Sequence, residues 1–313
     1  MPGKLAMLFN IYGQFIHKCK STETSRRVVA DALLSILNHP ETQERSLAKM
    51  QSDLRDKGVH CDLTEAYTYK LLGVKYTVDK ADIRTVIAYE FRYSTRSGKQ
   101  SLELSADIPT RIYTEMVGQT SQAKVVRLVA YYVLIGALGG NFWGLFPTFY
   151  QAIEGKFGTA AVECFASPFN HTLPQFYSLL SPIERQYGSV GDFFKDFIMD
   201  EKYMAYVINP PFIEPVMQQV FRDVQEKLAN TRKVSVILYL PYWRDIVDPF
   251  IKQVRDTKHR VAVHVLQKNR SIVYDYIKEV SFTARFETVV IYCTNSDSVD
   301  GPLFRTLVNT MTK

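Results

Sequence analysis

The sequence predicts an α/β protein in two parts: a mainly helical segment over residues 1–157, then an α/β sheet with helical crossovers over residues 158–313. Three observations carry this reading. In the first half, apolar residues recur at helical spacing. After Gly158, short β-rich runs alternate with amphipathic segments, as they do when helices cross over a parallel sheet. The 313 residues are 46% hydrophobic and 22% charged, a folded composition long enough for one large or two ordinary domains.

The elements follow in order. "TSRRVVADALLSILNH" places Val28, Val29, Leu33, Leu34 and Leu37 on one helical face, with Ser or Thr as N-cap. "ETQERSLAKMQSDLRDKG" is a more polar helix stopped by Gly58. Around "FRYSTRSGKQSLELSADIPTRIY" the helical pattern breaks into two short strands or an extended loop. "SQAKVVRLVAYYVLIGAL" is helical again, and Pro147 opens the helix "PTFYQAIEGKFG". The texture changes between Gly155 and Gly158. Strands are then expected at "TAAVECF", "MAYVI", "VSVILYL", "RVAVHVL" and "ETVVIYC". Between them, "EPVMQQVFRDVQEKLAN" puts Val216, Met217, Val220, Phe221, Val224 and Leu228 at helical spacing. "DPFIKQVRD" reads as a helix capped by Asp248 with Pro249 at its first position.

Several classes are disfavoured. The apolar stretch Leu128–Phe146 is interrupted by Gly139, Gly140 and Asn141, and its uninterrupted part is too short to span a bilayer. The four cysteines, Cys19, Cys61, Cys164 and Cys293, form no CxxC pair, which argues against a zinc site or a disulfide scaffold and for a reducing, intracellular setting. No signal-peptide pattern opens the chain. The six histidines show no metal-ligand spacing, so no metal is expected, and His264 sits within a strand. The formal charge of +6 permits a polyanionic partner without requiring one.

The most informative stretch is "VINPPF". An apolar strand, Met204 to Ile208, runs into Asn209, Pro210, Pro211 and Phe212. Prolines cannot donate to a sheet ladder, so the strand stops there, at the carboxyl edge where open α/β sheets bind ligands. This tetrad suits methyl transfer to a planar amino nitrogen. The Asn209 side-chain carbonyl and the Pro210 backbone carbonyl would accept the two N–H bonds of an adenine amine. Phe212 would stack on the base. S-adenosylmethionine would supply the activated methyl group, leaving positioning as the protein's main task. The competing account is a tight turn with Phe212 in the core.

Upstream, no Gly-rich loop follows the first strand. The chain instead reads "VECFASPFN", then "QYGSVGDFF" with Gly188, Ser189 and Gly191. In order, "ECFASP" with a following Asn, "YGS", a nearby "DF", "NPPF" and "PYWR" resemble the cap-specific adenosine N6-methyltransferases, the family of the phosphorylated-CTD-interacting factor. The similarity runs from about Val125 to Thr294. The resemblance implies a Rossmann-like S-adenosylmethionine-dependent methyltransferase domain preceded by a mainly helical, possible RNA- or cap-binding domain. It implies an RNA substrate, the adenosine next to the 5′ cap, and a nuclear setting. It carries the cofactor pocket onto Glu163, Phe165, Ala166, Ser167, Pro168 and Asn170, with Gly188 and Ser189 nearby, and catalysis onto Asn209, Pro210, Pro211 and Phe212. Tyr242 stands where the family pattern has an acidic residue, and no paired-tryptophan WW pattern surrounds Trp143 or Trp243.

Trp243 and Arg244 should share the sheet edge of Asn209 and contact substrate, as base-stacking ring and phosphate-binding cation. A Trp covering a helix end is the plainer account. Two basic clusters, Lys18, Lys20, Arg26 and Arg27, and Arg92, Tyr93, Arg96 and Lys99, are candidate phosphate tracks or solvated faces. The alternatives are methylation of internal RNA or DNA adenine, or of a protein amide, and an inactive RNA-binding or assembly subunit that retains the fold.

Overall fold

The structure is a computed structural model that describes residue 52 and residues 70–81, 83–95, 98–134, 142–178, 184–197, 199, 202–212, 214–257 and 259–312. The helix expected at 24–39, all but residue 52 of the helix expected at 41–58, Cys19, Cys61, the first basic cluster and Arg96 of the second lie outside the described residues. Two contact-dense units divide the chain, residues 1–141 and 142–313. That division precedes the boundary expected between residues 155 and 158. The physical reason is the helix at Pro147–Phe157, whose Phe149, Tyr150 and Ile153 are buried against strands of the second unit.

In the first unit, β1 (Lys70–Lys80), β2 (Arg84–Thr95) and β3 (Gly98–Pro109) form an antiparallel meander. Two strands or a loop were expected here within a helical half; a three-stranded sheet is found. Ile87, Tyr89, Ala106 and Ile108 are buried on alternate positions, the period of a one-sided sheet. Helices α1 (Thr110–Gln119) and α2 (Gln122–Leu134) pack on β2 and β3. The buried Tyr89 hydroxyl donates to the Val126 carbonyl at 2.8 Å. Of the second basic cluster, Arg92 is paired with Glu90 at 3.0 Å and Lys99 is exposed. No helix among the described residues is long and apolar enough to cross a membrane.

The second unit opens with β4 (Trp143–Gly144) and α3 (Pro147–Phe157). Its main sheet contains β5 (Ala161–Ala166), β6 (Phe176–Ser178), β7 (Ser189–Asp192), β8 (Ala205–Ile208), β9 (Ser235–Pro241), β10 (Arg260–Leu266) and β13 (Thr288–Thr294). The spatial order is β10-β13-β9-β8-β5-β6-β7. β7, β6, β5, β8 and β9 run parallel, and β13 is antiparallel to both β9 and β10. This is a doubly wound, Rossmann-like sheet, and the strand order reverses between β5 and β8. A small sheet of β4, β11 (Ile272–Asp275) and β12 (Val280–Thr283) lies beside it.

The central strands are buried on both faces, which is why they read as continuous apolar runs, while the edge strand β10 buries only Leu266. Every residue of β8, β9 and β13 is buried. One face takes Val162, Cys164, Tyr206, Ile208, Val236 and Leu238 against α5 (Glu214–Asn230) and α6 (Arg244–Asp256). The other takes Ala161, Ala205, Val207, Ile237 and Tyr239 against α3 and α7 (Gly301–Thr310). Between β7 and β8 sits α4 (Phe193–Asp196), a single turn capped by Asp192.

Two expectations are corrected. Helix α6 begins at Arg244 rather than after an Asp248 cap, with Trp243 at its N-cap and Pro249 inside it. Pro249 forfeits the backbone bond it would make to Asp245. Burial of Val247, Phe250, Ile251 and Val254 along one face outweighs that loss. The β5–β6 link, residues 167–175, contains no helix, although parallel strands are usually joined by one. The sheet face beside it is covered instead by α3, which precedes β5 in the chain.

Candidate active site

Because β5, β6, β7, β8 and β9 are parallel, their last residues share one edge. At the reversal point, β5 ends in Ala166 and β8 ends in Ile208, with Cys164 paired to Ile208. Asn209 follows directly, at the place where this kind of sheet binds its ligands. Its Nδ2 donates a long bond to the Trp143 carbonyl, 3.4 Å. A carbonyl can only accept, so this contact sets the orientation of the amide. Oδ1 is thereby turned away from Trp143, and it is buried without any hydrogen-bond partner. A buried acceptor left bare is costly, on the order of 1–3 kcal/mol. Trp143 is held in turn by its Nε1–H, which donates to Asp275 Oδ2 at 3.2 Å, and by ring contact with Phe282 at 4.6 Å.

The two prolines end the strand, with Pro210 buried and Pro211 half-buried. The Phe212 ring is half-buried, 6.3 Å from Tyr239 and 5.9 Å edge-on from Phe286. It therefore leans on the sheet core on one side and reaches the open edge on the other.

The segment after β5 is built tightly. Phe165 has φ of 65°, left-handed geometry that a phenylalanine rarely adopts. It marks a shift in the β5–β6 register between Cys164 and Ala166. Its ring packs on Phe193 at 4.3 Å and on Phe194 at 5.4 Å. Where a Gly-rich loop would supply positive φ freely, this chain uses a bulged phenylalanine locked by aromatic packing. Ala166 and Pro168 are buried. The Ser167 N–H and hydroxyl both donate to Asn170 Oδ1, at 2.8 and 2.7 Å, and the Asn170 and His171 N–H groups donate back to the Ser167 carbonyl. The Ser167 and Asn170 side chains thus fix the turn's shape.

Glu163 lies within β5 on the α3 side and is 4% exposed. Its carboxylate accepts the N–H groups of Thr172, at 2.9 Å, and Leu173, at 3.4 Å, and the hydroxyl of Tyr150. It ties the returning end of the β5–β6 link to the underside of the sheet. Burial pushes the carboxyl from 4.5 up to about 7, against the lowering effect of those three donors. The neighbouring Cys164 thiol is pushed up by burial first and then by Glu163, so it is no thiolate nucleophile.

On the far side of β5, Gly188 ends a short 3-10 turn in left-handed geometry, φ 96°. The Ser189 and Ser178 hydroxyls lie 2.6 Å apart, linking the start of β7 to the end of β6. Gly191 lets α4 approach: a Cβ there would come within 2.6 Å of Asp196 Cβ. The Tyr187 hydroxyl is buried without a partner, and burial pushes it up to about 12.

Trp243 and Arg244 follow β9, so they share the edge of Asn209. Both are exposed. Arg244 lies over the Tyr242 ring, 5.7 Å from its centroid, and the Tyr242 hydroxyl donates to Asp248 Oδ1 at 3.0 Å. An acid, Asp248, thus lies behind Tyr242. The fold brings the tetrad, the post-β5 turn and Trp243–Arg244 to one edge, whereas Gly188 and Ser189 open β7 and lie at its opposite, amino end. Among the described residues, no group of three or more His, Cys, Asp or Glu side chains is placed to hold a metal ion. The Trp143 carbonyl, Tyr150 and Phe286 carry no sequence signal and appear only through the fold.

A site for S-adenosylmethionine fits the turn after β5, at the carboxyl edge beside the reversal point, where Phe165 takes left-handed geometry and Ser167 and Asn170 fix the backbone.

Two curated relatives are named mRNA (2′-O-methyladenosine-N(6)-)-methyltransferase, one from Homo sapiens and one from Mus musculus. They are 25% and 24% identical to this chain over 153 residues, 47% of this chain and 21% of theirs. The chain therefore matches about a fifth of the length of those relatives. A solved precorrin-6y C5,15-methyltransferase from Geobacter metallireducens overlaps 43% of this chain and 80% of its own at 9% identity, with a TM-score of 0.28. The family model described as "Phosphorylated CTD interacting factor 1 WW domain" matches residues 110–276, from α1 through β11 and across the tetrad. With more than half of its length matched by that model, the chain belongs to the phosphorylated CTD interacting factor 1 family.

Proposed function

We propose that this protein is an S-adenosylmethionine-dependent N6-methyltransferase that acts on the adenosine next to the 5′ cap of RNA. The observation that carries the reading is the bare Oδ1 of Asn209 at the point where the strand order reverses. An adenine amine is a poor nucleophile because its lone pair is delocalised into the ring. An acceptor aimed at one of its N–H bonds orients the nitrogen and offsets the positive charge that grows there. Asn209 Oδ1 and the Pro210 carbonyl take this role, and the amide is held ready by Trp143. Phe212 supplies the stacking face. S-adenosylmethionine, when bound, supplies an electrophilic methyl group on sulfur. Phe165, Ala166, Ser167, Pro168 and Asn170 shape its pocket beside β5. Ser167 and Asn170 act by fixing the turn, and Glu163 acts from below by holding the link in place. Trp243 and Arg244 contact the RNA. A family named for a phosphorylated CTD fits a nuclear enzyme.

The curated relatives' names support the choice of a capped RNA end over internal RNA or DNA. The intact tetrad with a free acceptor supports an enzyme over an assembly subunit. The test uses one RNA body with three ends: capped adenosine, uncapped adenosine and capped guanosine. Capped adenosine should be methylated most efficiently, since remote binding of the cap positions the reacting base. Capped guanosine should not react, as it lacks the adenine amine. Equal transfer to capped and uncapped adenosine would remove the cap from the reading and leave an adenine methyltransferase.

A further inference from the structure

Among the described residues of 142–313, two aromatic side chains are exposed: Trp243 at 39% and Phe286 at 37%. A single exposed ring needs no explanation. These two lie on the same edge and leave it side by side. Pro241 of β9 pairs with Thr288 of β13, and the Tyr242 N–H donates to the Glu287 carbonyl at 2.9 Å, which carries the ladder one step further. Trp243 is the second residue after Pro241, and Phe286 is the second before Thr288. The Phe286 ring also meets Phe212 edge-on, 5.9 Å between centroids. The aromatic surface that starts at the tetrad therefore continues outward across β9 to the start of β13. Each exposed ring has an exposed guanidinium next to it in the chain, Arg244 after Trp243 and Arg285 before Phe286. Rings interleaved with cations are the pattern by which proteins hold unpaired nucleotides.

We propose that Trp243 and Phe286 form a stacking clamp for the nucleobase that adjoins the target adenine in the RNA strand, with Arg244 and Arg285 against the linking phosphates. This rests on the reading of the chain as an RNA adenine methyltransferase. The clamp takes a flat heterocycle joined to the target nucleotide through phosphate. Two positions offer that chemistry, the cap guanine on the 5′ side and the next base on the 3′ side.

The test measures affinity for short RNAs that start with adenosine, capped or uncapped, with either an intact base or an abasic site at the second nucleotide. If the 3′ base is clamped, the intact RNA should bind about tenfold more tightly than the abasic one. That ratio should fall toward one in Phe286→Ala and in Trp243→Ala and be kept in Phe286→Tyr. If the cap guanine is clamped, the capped-over-uncapped ratio should collapse in the same variants instead. A 2-aminopurine probe at the second nucleotide should be quenched on binding in the first case only. Because Trp243 stands at the N-cap position of α6, Phe286→Ala carries the test if Trp243→Ala melts early. Both ratios unchanged in Phe286→Ala would overturn the clamp. Methyl transfer is read in parallel. Collapsed ratios in a chain that transfers no methyl group would keep the clamp and end the enzymatic reading, while normal ratios with normal transfer would end the clamp alone.

Discussion

The Asn209 amide is used from one side only, with its N–H toward Trp143 and its carbonyl unpartnered. A merely structural asparagine would have both ends satisfied. Asn209→Ala should therefore lower turnover on the order of a hundredfold, as for loss of one transition-state hydrogen bond, and leave S-adenosylmethionine affinity nearly unchanged. Steady-state kinetics beside calorimetry separates the two; near-normal turnover would return Asn209 to the role of a turn residue. Phe165 poses the opposite question, because its left-handed backbone is strained yet its ring is packed. Phe165→Gly would relieve about 1–2 kcal/mol of backbone strain. It would lose ring packing worth about 3–5 kcal/mol. Packing wins, so the variant should melt earlier and bind S-adenosylmethionine more weakly; a raised melting temperature would show that strain dominates. Asn209 was legible in the sequence because two prolines isolate it after an apolar strand. Phe165 was legible only as part of "ECFASP", since no composition rule places a phenylalanine at positive φ.

The β5–β6 link shows what an element can hide. A run without helical periodicity or glycine reads as a generic loop, yet Glu163 fastens it from within the sheet. The carboxyl is 4.5 when unfolded and about 7 in the fold. The folded state therefore binds more protons than the unfolded state between those values. Its contribution to stability is fully present below about 4.5 and is lost as the pH rises through about 7. The shift corresponds to about 3 kcal/mol. Glu163→Gln keeps an acceptor for Thr172 and Leu173 and removes the titration. Denaturant titrations should find the variant near wild type at pH 5 and more stable than wild type at pH 8. An unchanged gap between the two proteins across that range would mean that Glu163 does not titrate there. The same limit explains the other misses. β6, β7 and β11 are only three or four residues long, too short for periodicity to register. β1 mixes Lys and Asp with apolar residues because one of its faces is open to water. The start of α6 was misplaced because Pro249 imitates a first-turn proline, whereas the burial stripe that decides the helix extends upstream to Val247.

At the scale of the whole chain, the two halves differ in what holds them and in what they carry. Both buried clusters of the Rossmann-like sheet are made entirely of residues from 142 onward. Most of the net charge of +6 falls in residues 1–141. The sheet was readable because buried parallel strands write continuous apolar runs, and the charge was readable from composition alone. Neither required the fold, but their assignment to different units did. A fragment of residues 142–313 should therefore fold cooperatively and bind S-adenosylmethionine with an affinity close to that of the full chain, since α3 and its contacts to Glu163 stay with it. Its affinity for capped RNA should be weaker. The slope of log affinity against log salt should be shallower, because fewer phosphate contacts release fewer counterions. Titrations of RNA into chain and fragment between about 50 and 200 mM salt give both slopes. Equal slopes would place the phosphate contacts on the sheet unit, among residues such as Arg244 and Arg285. A fragment that fails to melt cooperatively would show that residues 1–141 are needed to complete the core.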